Sequence, residues 1–288
     1  MTPSPTVLHL PMPEGRVAYE VTGPHDGALV VLVPGMGDLR SSWRDVTAPL
    51  VAAGHRVAVT DVRGHGDSDA TFTHHGVAAT ADDVSALLDA LGADAARPAV
   101  LVGASFAAGA VARVAAREPA RVRGLVLVAY ASNDVAASRA VRTQVSVLLR
   151  RPWGPAAWAW FYRSLLHGRR AAWTGEHLRD LRAALRRPAY LEQLRALAVG
   201  LVAGGHETLL EQVTSPVLVV TGAQDPETSD AAAAHAAVLA SARSAQVTGL
   251  LVPEAGHYPQ HQRADVVAPA VLAHVAAVTT AAAAPEDA

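Results

Sequence analysis

The sequence predicts an α/β fold, a mostly parallel sheet covered by helices on both faces. Short runs of Val and Leu recur along the chain and are near-continuous rather than alternating, the pattern of strands buried on both sides. Helix-length stretches separate these runs, as the crossovers of βαβ units require. A segment of different composition, rich in Arg and Trp, interrupts the alternation, which then resumes.

Taken in order, Thr6–Leu10 and Arg16–Val21 read as the strands of an N-terminal hairpin. Apolar runs at Ala28–Val33, Arg56–Thr60, Pro98–Val102 and Val122–Val128 read as buried strands, with helices at Val77–Leu91 and Phe106–Arg117. From Arg139 to Arg195 twelve Arg stand against three acids (Glu176, Asp180 and Glu192), a local charge of +9. The pattern there is helical, broken by Pro152, Pro155 and Pro188, since proline ends or kinks a helix. Four of the five Trp fall in the same stretch, Trp153, Trp158, Trp160 and Trp173. A strand at Pro216–Thr221, a helix near Asp230–Ala242, a strand at Val247–Val252 and a final helix from Arg263 complete the chain. The expected organisation is a core in two parts, residues 1–132 and 213–288, carrying a helical insert over 133–212.

Composition excludes several classes. A chain of 288 residues with 51% hydrophobic and 17% charged residues is long and apolar enough to bury a full core, which rules out a wholly disordered chain. With no cysteine there are no disulfides and no thiolate metal sites. All 24 basic residues are Arg. The absence of lysine removes the phosphate-binding P-loop, pyridoxal Schiff bases, lysine aldolases and Ser-x-x-Lys hydrolases, each of which needs an amine that Arg cannot replace. A net charge of −2 argues against a nucleic-acid binder. The N-terminus has neither the basic nor the apolar region of a secretory signal, and the Ala-rich stretch from Val266 reads as a packed helix rather than a membrane span. The expectation is a soluble cytoplasmic protein.

Three motifs carry chemistry. In Gly103-Ala104-Ser105-Phe106-Ala107 a buried strand ends, one serine follows, and an Ala-rich helix starts at once. A nucleophile on such a turn adopts a strained backbone that lifts its Oγ clear of the sheet. The alternative is an ordinary helix N-cap, a position serine also favours. Asp225 stands three residues after the strand-ending Gly222, and His257 follows the last apolar run. Both lie beyond the C-terminal ends of strands, where open α/β sheets build their sites. Either alone reads as a cap or turn residue; the chain order Ser105, Asp225, His257 makes them a triad. His65, His74 and His75 lack further ligands at helical spacing and read as a solvated loop rather than a metal site. Neither Gly35-x-Gly37 nor Gly64-x-Gly66 carries the third glycine of a dinucleotide fingerprint.

With these motifs the chain resembles the α/β-hydrolase fold superfamily, in the esterase-like subgroup with a serine nucleophile and a helical cap. The resemblance covers the chain apart from the insert. It implies a mostly parallel eight-stranded sheet with helices on both faces, the insert forming the cap. Val31–Gly37 resembles the family's oxyanion loop, with Pro34 where the family often has His, and by that likeness the backbone N–H groups of Met36 and Phe106 are the oxyanion donors. Asp61–Ser68 resembles the turn after the fourth strand, with Asp61 and Arg63 read as scaffold. Some members take their carboxylate from the loop after the sixth strand, so Asn133, Asp134 and Glu254 stand as rivals to Asp225.

Ser105 in the nucleophile position sets the chain apart from the family's epoxide hydrolases and haloalkane dehalogenases, which attack with a carboxylate. The implied activity is hydrolysis of a carboxylic ester, with no metal or organic cofactor. Carbon–carbon bond hydrolysis or lactone opening on the same triad is the alternative enzyme, and a non-catalytic small-molecule-binding fold is the alternative class. Cofactor-free haloperoxidases and perhydrolases share the triad as well. Because the base must be neutral, activity is expected to rise through roughly pH 6–7.5. Trp153, Trp158, Phe161 and Tyr162, with Trp160 and Trp173, are candidates for an apolar pocket roof, the alternative being that these rings pack the cap onto the core. The Arg excess suggests docking of an anionic partner, an acyl carrier protein or a carboxylate-bearing substrate, against the simpler reading of a solvated helix face.

Overall fold

The structure is a computed structural model that describes residues 6–130, 137–206 and 208–281. Eight strands form one sheet: β1 (Leu8–Met12), β2 (Gly15–Thr22), β3 (Leu29–Val33), β4 (Arg56–Thr60), β5 (Ala99–Ala104), β6 (Val122–Val128), β7 (Val217–Gly222) and β8 (Val247–Val252). Their spatial order is β1-β2-β4-β3-β5-β6-β7-β8. The β1–β2 and β2–β4 pairs are antiparallel, and every pair from β4 to β8 is parallel.

The apolar strands work because alternate residues face opposite layers. Val31, Val33, Leu101, Leu125, Leu127, Val217 and Val219 join one core with residues of the helices α2 (Val77–Leu91) and α3 (Phe106–Arg117). Val30, Leu32, Val100, Val102, Val126, Val128, Leu218 and Val220 join the other, against α1 (Arg44–Ala52) and the C-terminal helix Ala264–Ala281. Neither face of the central strands is left to water, so their runs are mostly apolar, with polar residues such as Arg56, Thr60 and Thr221 near strand ends.

Four helices lie between β6 and β7: α4 (Arg139–Leu148), α5 (Gly154–Leu165), α6 (Thr174–Arg186) and α7 (Tyr190–Val202). Leu149, Trp158, Leu185, Leu191 and Leu194 give them a small core of their own. Part of the positive charge of this segment is matched by acids of the insert and of the core. Arg151 reaches Glu192 at 3.7 Å, Arg169 reaches Asp265 at 3.8 Å, and Arg187 reaches Asp67 at 3.7 Å. After β7 come α8 (Ala231–Ser241), α9 (Pro259–Gln262) and α10 (Ala264–Ala281). Asp230 caps α8 by accepting from the Ala233 N–H at 2.9 Å, which satisfies one of the orphan donors of the first turn.

Several boundaries differ from the sequence-based expectation. The first strand runs Leu8–Met12 rather than Thr6–Leu10, because its pairing with β2 closes through Met12 and Gly15. The fifth reaches Ala104, held by pairing with β6 up to Val128. The sequence did not reveal α1, which carries Pro49 in its interior. The last helical segment divides at Arg263. Asn133 and Asp134 lie outside the described residues. No helix among the described residues is long and apolar enough to cross a membrane.

Candidate active site

Ser105 sits between β5 and α3 with φ +56° and ψ −128°, a left-handed conformation that costs a non-glycine residue energy. Packing holds it there. A Cβ on Gly103 would strike the Ala107 carbonyl, so strand and helix can meet this closely only with glycine at that position. Ala107 is fully buried and accommodated. Phe106 is the first residue of α3, so its N–H has no partner within the helix and points at the space before it.

His257 joins the other two residues. Its Nδ1 lies 2.8 Å from Asp225 Oδ2 and its Nε2 lies 3.0 Å from Ser105 Oγ. With the Nδ1 proton donated to the carboxylate, Nε2 is free to accept from the serine hydroxyl. The His257 loop is anchored on both sides: its own N–H donates to the Leu165 carbonyl at 3.0 Å, and the Gly256 N–H donates to Gln262 Oε1 at 2.9 Å. Gln262 in turn donates to the carbonyls of His167 and Arg169. Asp225 accepts a second bond from the Glu227 N–H at 3.0 Å.

The charges are coupled. Burial works to raise Asp225, but the bond to His257, its charge and the Glu227 N–H outweigh burial and hold the carboxyl below its usual value. For His257, burial works to lower the imidazole, yet Glu227 and then Asp225 outweigh it and hold the ring above its ordinary value. Glu227 was not foreseen. Its Oε2 stands 3.4 Å from His257 Nε2, the nitrogen that faces Ser105. The available signal was its position two residues past Asp225 in a short turn, which forces both carboxylates into one loop.

The loop bearing Met36 passes directly beside the nucleophile, since a Cβ on Gly35 would lie 3.3 Å from Ser105 Cβ. The helical insert grips this loop at the next two residues. Trp158 of α5 donates its indole N–H to the Gly37 carbonyl at 2.9 Å. A side chain on Gly37, which has φ +64°, would collide with that same indole ring. His177 of α6 bonds Asp38 Oδ1 through Nε2 at 2.8 Å, both side chains fully buried. Tyr162 stacks on Tyr258 with ring centroids 4.3 Å apart and is edged by His177 and His261.

The expected pocket aromatics are therefore divided. Met36 and the partly buried Phe161 pack against the cluster that holds Trp158. Tyr162, with no exposed surface, is a packing ring beneath Tyr258 rather than an open wall. Trp153 is 50% exposed and donates to the Val147 carbonyl of α4, and Trp160 is 69% exposed, so neither is drawn into the site. Trp173 bonds Asp45 on α1 at 2.8 Å. Glu254, the described rival for the acid role, pairs with Arg263 at 3.4 Å instead of His257. Arg63 is committed to Asp83 and to the carbonyls of His74 and Ala79, and Asp61 to Arg40 and the Asp67 N–H. Among the described residues no group of three or more His, Asp or Glu could hold a metal ion.

Comparison with known proteins agrees with this fold. The model of the Alpha/beta hydrolase family matches residues 30–270. A relative named "Putative carbamate hydrolase RutD", from Variovorax paradoxus, is 32% identical over 213 residues, covering 72% of this chain and 77% of that one. A non-heme chloroperoxidase of Streptomyces lividans is 40% identical over 114 residues, 39% of this chain and 40% of the relative. Among solved structures, a thermophilic esterase from Thermogutta terrifontis superposes with a TM-score of 0.74 at 25% identity, over 96% of this chain and 99% of that one.

Proposed function

The chain belongs to the alpha/beta hydrolase family, and from that premise we propose that it is a serine hydrolase cleaving a carboxylic ester through an acyl-enzyme. The observation that carries this reading is the unbroken relay Asp225–His257–Ser105, with steps of 2.8 and 3.0 Å. Neutral His257 takes the Ser105 proton as Oγ attacks the acyl carbon. Asp225 holds the ring in the tautomer that leaves Nε2 free and stabilises the imidazolium as it forms. The oxyanion faces the N–H groups of Met36 and Phe106, each worth about 10²–10³ in rate in comparable sites. The tetrahedral intermediate collapses as the C–O bond to the leaving alcohol breaks and His257 protonates it. Water, deprotonated by the same nitrogen, then releases the acid.

Residues 133–212 act in this reading as a cap whose Trp158 and His177 brace the oxyanion loop, a support supplied from the insert where Pro34 replaces the family's frequent histidine. A carbamate is the second reading of the substrate, favoured by the name of the 32% identical relative; the same steps serve, with carbamoylated Ser105 as the intermediate. The deciding experiment is labelling by a fluorophosphonate followed by a panel of nitrophenyl esters, carbamates and lactones and a ring-cleavage dienoate. Labelling of wild-type protein that disappears in Ser105→Ala, with turnover of esters, is the expected result. A folded protein whose Ser105 ignores the probe overturns the reading.

A further inference from the structure

We propose that Glu227 makes the leaving-group side of the site a cation subsite, so that the preferred substrates are esters or carbamates whose departing group carries a positively charged nitrogen. The inference rests on the serine-hydrolase reading and deepens it. The mechanism has no use for Glu227: Asp225 already occupies His257 Nδ1. Yet Glu227 Oε2 lies 3.4 Å from Nε2, the atom that hands a proton to the leaving oxygen. A leaving oxygen within hydrogen-bond reach of Nε2, about 3 Å, is therefore held close to the carboxylate. A cationic nitrogen one or two carbons beyond that oxygen comes into salt-bridge contact with it.

The surroundings leave the charge available. Among the described residues the groups facing His257 are Ser105, Asp225, Glu227 and the edge of the Tyr258 ring. No arginine among them pairs with Glu227, in a protein where Arg40, Arg63, Arg121 and Arg263 are all tied to acids. The Glu227 side chain is 43% exposed against 3% for His257, so it reaches solvent and is able to exchange water for a ligand cation. The same charge disfavours a carboxylate on the leaving group, which turns the anionic-substrate idea drawn from the Arg-rich insert away from this side of the site.

The test uses two phosphonothioate labels of equal shape, one whose leaving thiol bears a trimethylammonium group and one bearing a tert-butyl group in its place. In each, Ser105 Oγ forms the P–O bond as the P–S bond breaks, and the hydroxyl proton passes through His257 Nε2 to the departing sulfur. Second-order labelling rates are measured at low and at physiological salt for wild type, Glu227→Gln and Glu227→Asp. Wild type is expected to react roughly tenfold faster with the cationic label at low salt, with the ratio shrinking as salt screens the pair. In E227Q the ratio falls toward one, and the rise of labelling with pH moves to lower pH as His257 loses the neighbour that favours its charged form. E227D, which keeps the charge, retains part of the preference. A ratio unchanged in E227Q while the neutral label still modifies Ser105 overturns the subsite and leaves the hydrolase standing. Failure of both labels on folded wild-type protein overturns the hydrolase reading and the subsite together.

Discussion

Two histidine–aspartate pairs flank the loop bearing Met36, each 2.8 Å long, and each histidine turns its other nitrogen toward a serine. One is the proposed catalytic relay; the other, Asp38–His177–Ser41, is a lock. Ser105 lies 3.0 Å from its imidazole and Ser41 3.4 Å from its own, at the edge of hydrogen bonding. Ser105 is held at φ +56° at the head of a helix, whereas Ser41 sits in a 3₁₀ turn, Arg40–Trp43, that leads into α1 without a positive φ. Asp38 and His177 are wholly buried, and His177 ties α6 to the loop two residues after Met36. Three residue types within reach of one another do not make a site. What separates the two pairs is the strained turn at Ser105 and its shorter approach to the imidazole.

The comparison is broken or sharpened most by exchanging roles. Ser105→Ala is expected to lower turnover by about 10⁴-fold or more, while Ser41→Ala stays within about twofold, both read as kcat/KM on a nitrophenyl ester. Asp225→Asn is expected to cost about 10⁴ in kcat with the fold intact, because the imidazole then settles in the wrong tautomer. Asp134→Asn and Glu254→Gln leave kcat near wild type. His177→Ala has the opposite profile. It removes one hydrogen-bond partner of the buried Asp38, the Leu39 N–H remaining, and is expected to cost about 1–3 kcal/mol in urea unfolding, with turnover changed by less than tenfold. Equal losses of stability in the His257→Ala and His177→Ala proteins would dissolve the distinction.

The core of this geometry was legible because it follows from local rules. A strand-ending Gly103, a lone Ser105 and an Ala-rich start to the next helix dictate the strained turn, and Asp225 and His257 follow apolar runs that can only be strands. The boundaries of β4, β6, β8, α2 and α3 were readable from uninterrupted apolar or helix-periodic stretches. Less was legible where partners are distant in sequence. His177 meets Asp38 across 139 positions, and nothing in the pattern Thr174–Arg186 marks that histidine as buried. Glu227 looked like an ordinary turn acid because its distance to His257 depends on how the β7 and β8 loops pack. Among the aromatics, composition placed seven rings in the insert but could not say which face of each helix they occupy, so Trp153 and Trp160 on the surface were indistinguishable from Trp158 inside.

Smaller effects probe the catalytic pair by pH. Glu227 and Asp225 hold His257 above its ordinary value, so the imidazole keeps its proton to higher pH than a free one and is unavailable as a base for longer. The kcat/KM of a neutral ester is therefore expected to rise with a midpoint above the ordinary histidine value of about 6.5, falling about tenfold for each pH unit below it. This puts the rise on the alkaline side of the ordinary histidine value. A midpoint below the ordinary value would contradict the burial and charge balance around the ring.

The finest test falls on the seam between the pairs. Trp158 fills the space above Gly37 and satisfies its carbonyl, so Trp158→Phe keeps an aromatic body while orphaning a buried acceptor, at about 1–2 kcal/mol of stability. If the insert only covers the site, kcat and KM for a small ester both stay near wild type. If it positions the oxyanion loop, the Met36 N–H drifts from where charge develops, and kcat falls by about three- to tenfold with KM little changed, because that donor acts on the transition state more than on the bound ester. The second outcome is expected, since the indole contacts the residue next to Met36.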